Sequence, residues 1–433
     1  MILLYGINQY SLVYHEEKHS DQVLFVTTEP EQRFGEVSLG FDDAITQYPK
    51  AQIIVFSTFS DEILASMLSK GLPLDNVFIY NPFAKQKVAA RSVIHEYQFT
   101  NKEILHCVYD LSTCLVTFDF FLYLVNAEIE RIKRGLKYIK LYIVLPLEGA
   151  ENTINIEYSN FRNGEHANIH YILDRVSGIL EPLGRCHAKI LSVSQHTKDD
   201  FQAVSQHWQS DVVFPENYHQ SRILKKFYYS DFESDLRQYC FKIRGFIGPT
   251  QASQELVRRF IELNANGRKP VVITLREYDF QHHRNSSSEE WVRFIDELDS
   301  DVYFPVIVRD TYKVHTSFPS CNAYIFNEAS IDLKIRIALY QQAFVNLSVN
   351  CGPSSLFYFL KNCDSIEFRD INPQSMSTTA EQMYSASLMV EGEQPFYALP
   401  NHNRVHWGVA DYANITKAFY DFISDVHNEE IIR

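Results

Sequence analysis

The sequence predicts an α/β protein with parallel sheets, organised as a small N-terminal α/β domain followed by two Rossmann-like lobes that face a cleft. The chain has 433 residues, enough for two or three domains. Short apolar runs that end in turns alternate with amphipathic helical stretches, which is the order of elements in a parallel sheet. Hydrophobic residues make up 45% and charged residues 22% of the chain, a balance typical of proteins that bury large cores.

The charge and the glycine content exclude several classes of function. Lys and Arg together number 40 and Asp and Glu 54, which gives a formal net charge of −14. A chain this acidic is not expected to bind nucleic acid or to coat an anionic membrane. Only 15 residues are glycine, about half of the usual ~7% share, and this leaves little room for a glycine-rich phosphate loop.

The cysteines and the apolar runs indicate the compartment. Seven cysteines are an odd number in a long chain, and no two of them form a CxxC pair, as is typical of reduced proteins. The first residues, MILLYGINQY, lack the basic and apolar regions of a signal peptide. The most apolar window, Leu115–Val125, contains Asp119 and is too short to span a bilayer. We therefore expect a cytoplasmic protein with no transmembrane segment.

Residues 1–88 are predicted to form a small Rossmann-like domain. Buried strands are predicted at Gln22–Thr27 and Gln52–Ser57, with an amphipathic helix over Asp61–Lys70. The first strand-to-helix turn, GINQYS, contains one glycine, Gly6, where a dinucleotide site uses three. We therefore expect no dinucleotide to bind there.

Two larger units are predicted to follow a charged linker over residues 83–105. Residues 100–245 would form the N-terminal lobe and residues 246–433 the C-terminal lobe. Ligands of open parallel sheets bind at the carboxyl ends of the strands, and clefts between domains are common ligand sites. The loops that leave the C-terminal strands are therefore the first place to look for a site.

The first candidate site follows the strand PVVITL. Arg276 comes directly after the apolar run, and its forked donors suit a pyrophosphate. The free amides of the next helix, which begins near Glu289, would also favour an anion. Alternatively, Arg276 pairs with a neighbouring acid and the histidines of the loop are solvated. The candidates that share this loop with Arg276 are Glu277, His282, His283, Arg284 and Ser286 to Ser288.

The second candidate site is the turn NCGPSS between a strand and a helix. Gly352 allows close backbone approach, and Pro353 suits the first turn of a helix. Asn350, Ser354 and Ser355 offer polar groups to a phosphate. An ordinary strand–helix turn is the alternative, and Cys351 as a nucleophile is a weaker one because no partner base can be assigned.

Taken together, these segments resemble the C-terminal lobe of GT-B-fold glycosyltransferases, and in particular the fucosyltransferase-like group. The segments that carry the resemblance are TLR with its polar loop, NLSVNCGPSSL, and the tail VHWGVADYANITKAFYDFI. The resemblance implies that Arg276 binds the pyrophosphate, that Ser354 and Ser355 lie beside it, and that the terminal segment crosses back to the N-terminal lobe. It also implies that residues 100–245 hold the acceptor and residues 246–433 the nucleotide-sugar donor. The group's second consecutive arginine is replaced here by Glu277.

A glycosyl transfer also needs a general base for the acceptor hydroxyl. We expect it on a loop of the N-terminal lobe. Glu148 and Glu151 follow the strand IKLYIVLP, and Asp110 follows ILHCVY; Asp119 and His166 are weaker candidates. Each of them could equally be a solvated or capping residue.

No metal or cofactor is expected. The sequence has no HExxH or similar metal spacing. Asp299-Ser300-Asp301 matches the DXD pattern of the other major glycosyltransferase fold, but it precedes a strand, so we interpret it as a solvated turn.

The predicted function is therefore transfer of a sugar from a nucleotide-diphosphate donor to a hydroxyl on a glycan, a lipid-linked or a protein acceptor. An inverting, metal-independent reaction in surface polysaccharide biosynthesis is implied by the resemblance. Two alternatives remain open: a non-catalytic nucleotide-sugar-binding or scaffold protein, and a nucleotide-sugar epimerase on the same fold.

Overall fold

In a computed structural model, the chain forms two compact units, residues Met1–Lys102 and Glu103–Arg433. The structure describes residues 1–18, 22–57, 60–82, 84–90, 103–146, 169–205, 212–216, 227–279, 281–373, 375 and 377–432. Three mainly parallel sheets with helices between their strands confirm the predicted α/β fold class.

The first unit contains a six-stranded sheet with the strand order β5-β2-β1-β6-β7-β8. All neighbouring strands are parallel except β8, which runs antiparallel to β7. The strand β8 lies inside the segment predicted as a linker, so that prediction was wrong for residues 86–89. The strands are β1 (Ile2–Tyr5), β2 (Val23–Thr27), β5 (Leu39–Gly40), β6 (Gln52–Val55), β7 (Val77–Asn81) and β8 (Gln86–Ala89), with a separate hairpin of β3 (Gln32–Arg33) and β4 (Glu36–Val37).

Within the described residues of this unit, the helices of seven residues or more are α1 (Gln9–Lys18), α2 (Phe41–Gln47) and α3 (Ser60–Ser69). The turn between β1 and α1 is filled by the chain itself. Gly6 has a φ of 104°, and a Cβ there would lie 2.9 Å from the carbonyl oxygen of Phe56. The side-chain oxygen of Asn8 accepts hydrogen bonds from the N–H groups of Tyr10 and Ser11. Amides that could bind a phosphate at this helix end are thus bonded to Asn8.

The first sheet of the second unit has four parallel strands in the order β11-β10-β9-β12. They are β9 (Ile104–Asp110), β10 (Tyr138–Val144), β11 (Ile190–His196) and β12 (Val213–Phe214). The helices around this sheet are α4 (Asp119–Lys133), α5 (Ile169–Arg175), α6 (Glu181–Arg185) and α7 (Lys198–Ser205), followed by α8 (Glu233–Tyr239). The predicted long helix over Thr117–Leu136 is confirmed by α4, most of whose apolar side chains are buried.

The second sheet has six parallel strands in the order β15-β14-β13-β16-β17-β18. They are β13 (Lys269–Thr274), β14 (Tyr303–Val308), β15 (Tyr324–Ile325), β16 (Val345–Val349), β17 (Ser365–Arg369) and β18 (Asn403–Trp407). The helices are α9 (Gln251–Ala265), α10 (Ser288–Glu297), α11 (Asn327–Ile331), α12 (Leu333–Gln342), α13 (Ala380–Ser387) and α14 (Tyr412–Ile432).

One hydrophobic core joins the two sheets of the second unit. It includes Phe121 of α4, Phe246 and Phe359, whose rings lie about 6 Å apart, at 5.8 to 6.1 Å between centroids. Fully buried aromatic contacts of this kind strongly favour one arrangement of the packed elements. The two sheets of the second unit are therefore held together by a shared core.

The terminal helix α14 differs from the expectation drawn from the resemblance. Its buried residues Ile415, Phe419 and Phe422 belong to a second core cluster made only of residues 271–422, which includes Trp291 and Phe294 of α10. The helix therefore packs within the second lobe, and the expected crossing to the first lobe was wrong for this buried face.

The DXD-like segment forms a turn at the amino end of β14. The carbonyl oxygen of Asp299 accepts hydrogen bonds from the N–H groups of Val302 and Tyr303, and its carboxylate accepts from the N–H of Asp301. This turn lies at the opposite end of the strand from the carboxyl edge. The interpretation of Asp299-Ser300-Asp301 as a turn is confirmed.

Candidate functional site

Both sheets of the second unit reverse their strand order at one point. From β13 the chain adds β14 and β15 on one side and then returns to place β16 on the other side. From β9 it adds β10 and β11, and then places β12 on the other side. Open parallel sheets bind ligands outside the carboxyl ends of the strands at such switch points. The segments of interest are therefore those that follow β9, β13 and β16.

The segments that follow β9 and β16 are in direct contact. A Cβ built on Gly352, after β16, would lie 2.7 Å from the Cβ and the ring of Phe118, which precedes α4. No real side chain tolerates such a distance, so glycine at 352 allows the two segments to approach this closely. The switch-point regions of the two sheets thus lie against each other.

Arg276 anchors the segment that follows β13, residues 276–286, called here the β13 loop. Its guanidinium donates to the carbonyl oxygen of Gln281 at 3.1 Å and to the side-chain oxygen of Asn285. Its backbone N–H donates to the hydroxyl of Ser286, and its carbonyl accepts from the N–H of Ser286. Arg276 is 7% exposed and is enclosed by polar groups of its own loop. Arg276 therefore stabilises the β13 loop through these hydrogen bonds.

Arg284 links the β13 loop to the turn after β16. It lies in a short 3-10 helix, His282–Arg284, and is half-buried. It donates to the side-chain oxygen of Gln281 at 2.8 Å and to the carbonyl oxygen of Asn350 at 3.2 Å. Neither of these oxygens carries a formal charge. The structure therefore brings the two predicted candidate segments together at the switch point of the second sheet.

Glu277 does not face the same way as Arg276. It forms a two-pronged ion pair with Arg309, which follows β14, at 2.6 and 3.0 Å. Arg309 is 4% exposed and also donates to the carbonyl oxygen of Thr316 at 2.7 Å. The carboxylate of Glu277 is thus paired with an arginine at the end of the neighbouring strand. This pairing does not fit the predicted contact of Glu277 with substrate. His282 and His283 are exposed on the loop surface.

The turn after β16, residues 350–355, is called here the β16 turn. The hydroxyls of its two serines are bonded within the protein. Ser354 is 0% exposed, and its hydroxyl donates to the carboxylate of Glu367 in β17. Ser355 donates to the carbonyl oxygen of Gly352 at 2.7 Å. The predicted helix here is a six-residue 3-10 helix, Pro353–Tyr358. Burial of Ser354 does not fit its predicted contact with a phosphate, because its hydroxyl stabilises the turn.

A buried polar cluster lies behind the β16 turn. Glu367 is fully buried and accepts hydrogen bonds from Tyr358 at 2.6 Å and from Arg369 at 2.9 and 3.1 Å, besides the one from Ser354. Burial is the largest single effect on the pKa of Arg369 and would lower it, but the charge and hydrogen bond of Glu367 together with Tyr358 and Tyr397 raise the pKa overall. The buried pair of Glu367 and Arg369 holds the turn in place through Ser354.

Cys351 does not have the environment of a nucleophile. Burial raises the pKa of its thiol, and this effect outweighs the hydrogen bond from Ser348. Reactive cysteines have a lowered pKa, since the thiolate is the nucleophile. Cys351 is thus a packed thiol within the turn.

Of the predicted catalytic residues, Asp110 lies within the described chain. It is the last residue of β9, beside the switch point of the first sheet, and one of its oxygens accepts from the N–H and hydroxyl of Ser112 at 2.8 and 2.6 Å. Asp119 accepts from the hydroxyl of Thr117 at the start of α4. Glu148, Glu151 and His166 lie outside the described residues.

Sequence reasoning missed Arg309 and Arg369. Like Arg276, each follows or ends an apolar strand and precedes an acid, in the segments ITLRE, VIVRD and EFRD. This repeated strand-Arg-acid pattern is visible in the sequence. It marks three arginines along the carboxyl edge of one sheet, two of which are paired with buried or half-buried carboxylates.

Two further findings concern metals and membranes. Among the described residues, no three His, Cys, Asp or Glu side chains are grouped so that they could hold a metal ion. No helix in the described part of the chain is long and apolar enough to cross a membrane.

The described part of residues 103–433 therefore contains two Rossmann-like α/β lobes, which approach each other at the segments after β9 and β16. The sequence matches no protein-family model and no curated protein. A solved structure described as a glycosyl transferase family 9 protein from Veillonella parvula is 10% identical, with a TM-score of 0.37, over 71% of this chain and 86% of that chain. The GsuK RCK domain is 11% identical with a TM-score of 0.18, over 96% of this chain and 75% of its own. Likenesses at this level do not define a function.

Proposed function

We propose that the chain is a glycosyltransferase that moves a sugar from a nucleotide-diphosphate donor to a hydroxyl acceptor. One observation carries the proposal: the hydrogen bond from Arg284 to the carbonyl oxygen of Asn350. It joins the β13 loop and the β16 turn at the switch point of the second sheet. A ligand of an open parallel sheet is expected at this place.

Arg284 and Arg276 would bind the diphosphate of the donor. Guanidinium groups match phosphate oxygens with two parallel hydrogen bonds. The half-buried Arg284 would make the first contact with the diphosphate. The more deeply buried Arg276 would stabilise the loop that carries Arg284. In the transfer step, negative charge develops on the departing diphosphate, and fixed cations in a site of low dielectric stabilise that charge.

The acceptor would bind on the side of the first sheet. Asp110 at the end of β9 would take the proton of the acceptor hydroxyl, with Glu148 and Glu151 as the other candidates for this role. A general base needs to lie within hydrogen-bond reach of the hydroxyl. The proposal further includes an inverting single displacement without a metal, an acceptor from surface glycan assembly, a cytoplasmic setting and a donor site similar to that of the fucosyltransferase-like group.

The proposal is tested by incubating the purified protein with UDP-, GDP-, CDP- and dTDP-sugars and an extract of glycan and lipid-linked acceptors. We expect release of one nucleoside diphosphate, detected by mass spectrometry, that depends on the acceptor. A changed sugar with donor alone would instead indicate an epimerase. Binding of a nucleoside diphosphate without transfer or hydrolysis would indicate a non-catalytic binding protein.

A matched pair of variants distinguishes loss of the donor site from the general effect of removing an arginine. Arg284→Ala should reduce donor turnover by about tenfold or more, because hydrogen bonds to a charged group are worth about 1.5–3 kcal/mol. Arg259→Ala, on the exposed side of α9, removes the same charge at a side chain that is 70% exposed and should leave turnover unchanged.

A further inference from the structure

A group of aromatic and charged side chains joins helix α5, around the first sheet, to two loops of the second sheet. We call it the Arg175 cluster: Tyr171, Asp174 and Arg175 of α5, with Tyr278 and Tyr312 from the loops after β13 and β14. The guanidinium of Arg175 lies 5.2 Å from the ring centroid of Tyr171 and 5.0 Å from that of Tyr312. A cation at such a distance over an aromatic face is attracted to the ring.

Polar contacts fix the same group. The Nε of Arg175 donates to the hydroxyl of Tyr171 at 3.1 Å, and its Nη2 lies 3.5 Å from the hydroxyl of Tyr278. The hydroxyl of Tyr312 donates to Asp174 at 3.2 Å. Arg175 is thus held between two rings, with its outer nitrogen directed at the β13 loop.

Tyr278 is tied to the two arginines of the β13 loop. Its backbone N–H donates to the side-chain oxygen of Asn285 at 3.1 Å, and its carbonyl accepts from the side-chain nitrogen of Asn285 at 2.8 Å. The same oxygen of Asn285 accepts from Arg276, whose guanidinium lies 5.9 Å from the ring of Tyr278. A shift of Tyr278 would therefore be passed through Asn285 to its neighbour in sequence, Arg284.

We propose that Arg175 is a positioning residue: by holding Tyr278 and Tyr312 it keeps the β13 loop in the conformation that presents Arg284 to a bound diphosphate. The ligand in this statement rests on the proposed function. The positioning itself rests only on the contacts between α5 and the loop. Arg175 does not contact the ligand, and its effect on binding passes through Tyr278.

Hydrogen exchange of the protein without ligand tests the positioning. Arg175→Ala and Tyr278→Phe should each raise the exchange rate of the peptides that carry Tyr278 and Arg284, and the double variant should exchange no faster than Arg175→Ala. Tyr384→Phe is the matched control, because it removes another tyrosine hydroxyl, which is bonded to Glu233 at 3.2 Å. In this variant the exchange rates of the peptides that carry Tyr278 and Arg284 should not change. Unchanged exchange in Arg175→Ala would overturn the proposal.

Binding of inorganic pyrophosphate, measured by calorimetry, shows how Arg175 acts. Tyr278→Phe keeps the charge of Arg175 and removes only the hydroxyl. If Arg175 acts through Tyr278, both single variants should weaken binding by about threefold to tenfold, and the double variant should be no weaker than Arg175→Ala, as expected for coupled residues. Normal binding in Tyr278→Phe with weak binding in Arg175→Ala would show a direct contact and overturn the positioning role.

The two proposals fail in different ways. If the unaltered protein binds no pyrophosphate, the proposed function loses its donor site, whereas the exchange rates still decide whether Arg175 fixes the loop. Arg175→Lys keeps the charge but lacks the planar fork of donors. It should therefore bind pyrophosphate more tightly than Arg175→Ala and more weakly than the unaltered protein.

Discussion

The ring of Phe118 packs directly against Gly352, so that the segment after β9 and the turn after β16 touch at this pair. Gly352 has a φ of −55°, which any residue can adopt. Gly352→Ala should therefore act only through its clash with Phe118, and we expect a loss of about 1–3 kcal/mol in the free energy of unfolding, measured by urea denaturation. The loss should be accompanied by weaker binding of nucleoside diphosphates.

Phe118→Ala provides the control for this clash. In the Gly352→Ala background it should recover part of the lost stability, because the added methyl then has room. Additive losses in the double variant would show that Phe118 and Gly352 are not in contact in solution.

Arg276 and Arg284 should differ when each is replaced. Arg284→Ala should weaken binding of inorganic pyrophosphate by about tenfold or more with little change in melting temperature. Arg276→Ala should weaken binding as well, but it should also lower the melting temperature, because its guanidinium and backbone hold the β13 loop. Thermal melts and calorimetry on the two variants make this comparison. Equal stability of both variants would contradict the anchoring role of Arg276.

The ion pair between Glu277 and Arg309 should contribute to stability. Glu277→Gln leaves the buried guanidinium of Arg309 without its charge partner, and we expect a loss of about 3 kcal/mol in the free energy of unfolding. Glu255→Gln, in an exposed pair of α9, should cost much less. Replacing both partners by Met should restore most of the stability, since no buried charge then remains. A loss in the double variant as large as in Glu277→Gln would contradict this account.

Much of the fold and part of the site could be predicted from the sequence, because apolar runs and turns report strand ends directly. The runs PVVITL and FVNLSV placed Arg276 and Asn350 at the carboxyl edge of one sheet, and the structure places both there. The order of the strands was not predicted. The pairing of Glu277 with Arg309 depends on β14 lying next to β13, and no local pattern carries that information.

The inward turn of Ser354 shows another limit of sequence reasoning. A strand–serine–helix pattern suits a phosphate, but the hydroxyl of Ser354 lies beside a buried carboxylate thirteen residues later in the chain. Whether a polar side chain faces a ligand or a neighbouring strand is decided by such distant partners. The same holds for Arg175, whose contacts with Tyr278 and Tyr312 come from residues more than a hundred positions away.

Stability should fall as the pH is lowered through the mildly acidic range. Burial lowers the pKa of His187 to about 3 and that of His106 to about 4. In the unfolded chain both would have a pKa of about 6.5, so between these values the unfolded state binds more protons. Each histidine should therefore lower the free energy of unfolding by about 1.4 kcal/mol for each pH unit below pH ~6.5. Above that pH neither histidine changes the stability. Urea denaturation at pH 7.5, 6 and 5 measures this slope.

His187→Asn isolates one of these contributions. The Nδ1 of His187 accepts from the N–H of Lys189 at 3.0 Å, and asparagine can offer an acceptor without titrating. The slope of stability against pH should decrease in this variant, whereas the exposed His315→Asn should leave it unchanged. An unaltered slope in His187→Asn would contradict the buried neutral state of the ring.

The most direct test of the account is a crystal structure with the nucleoside diphosphate that raises the melting temperature most. The account predicts its diphosphate between the β13 loop and the β16 turn, with a phosphate oxygen within ~3 Å of the Arg284 guanidinium. A cavity of about 550 Å³ beside β18, lined in part by Gln394, Arg404 and Asp425, offers a different place. A diphosphate bound there, with the switch point empty, would contradict the account.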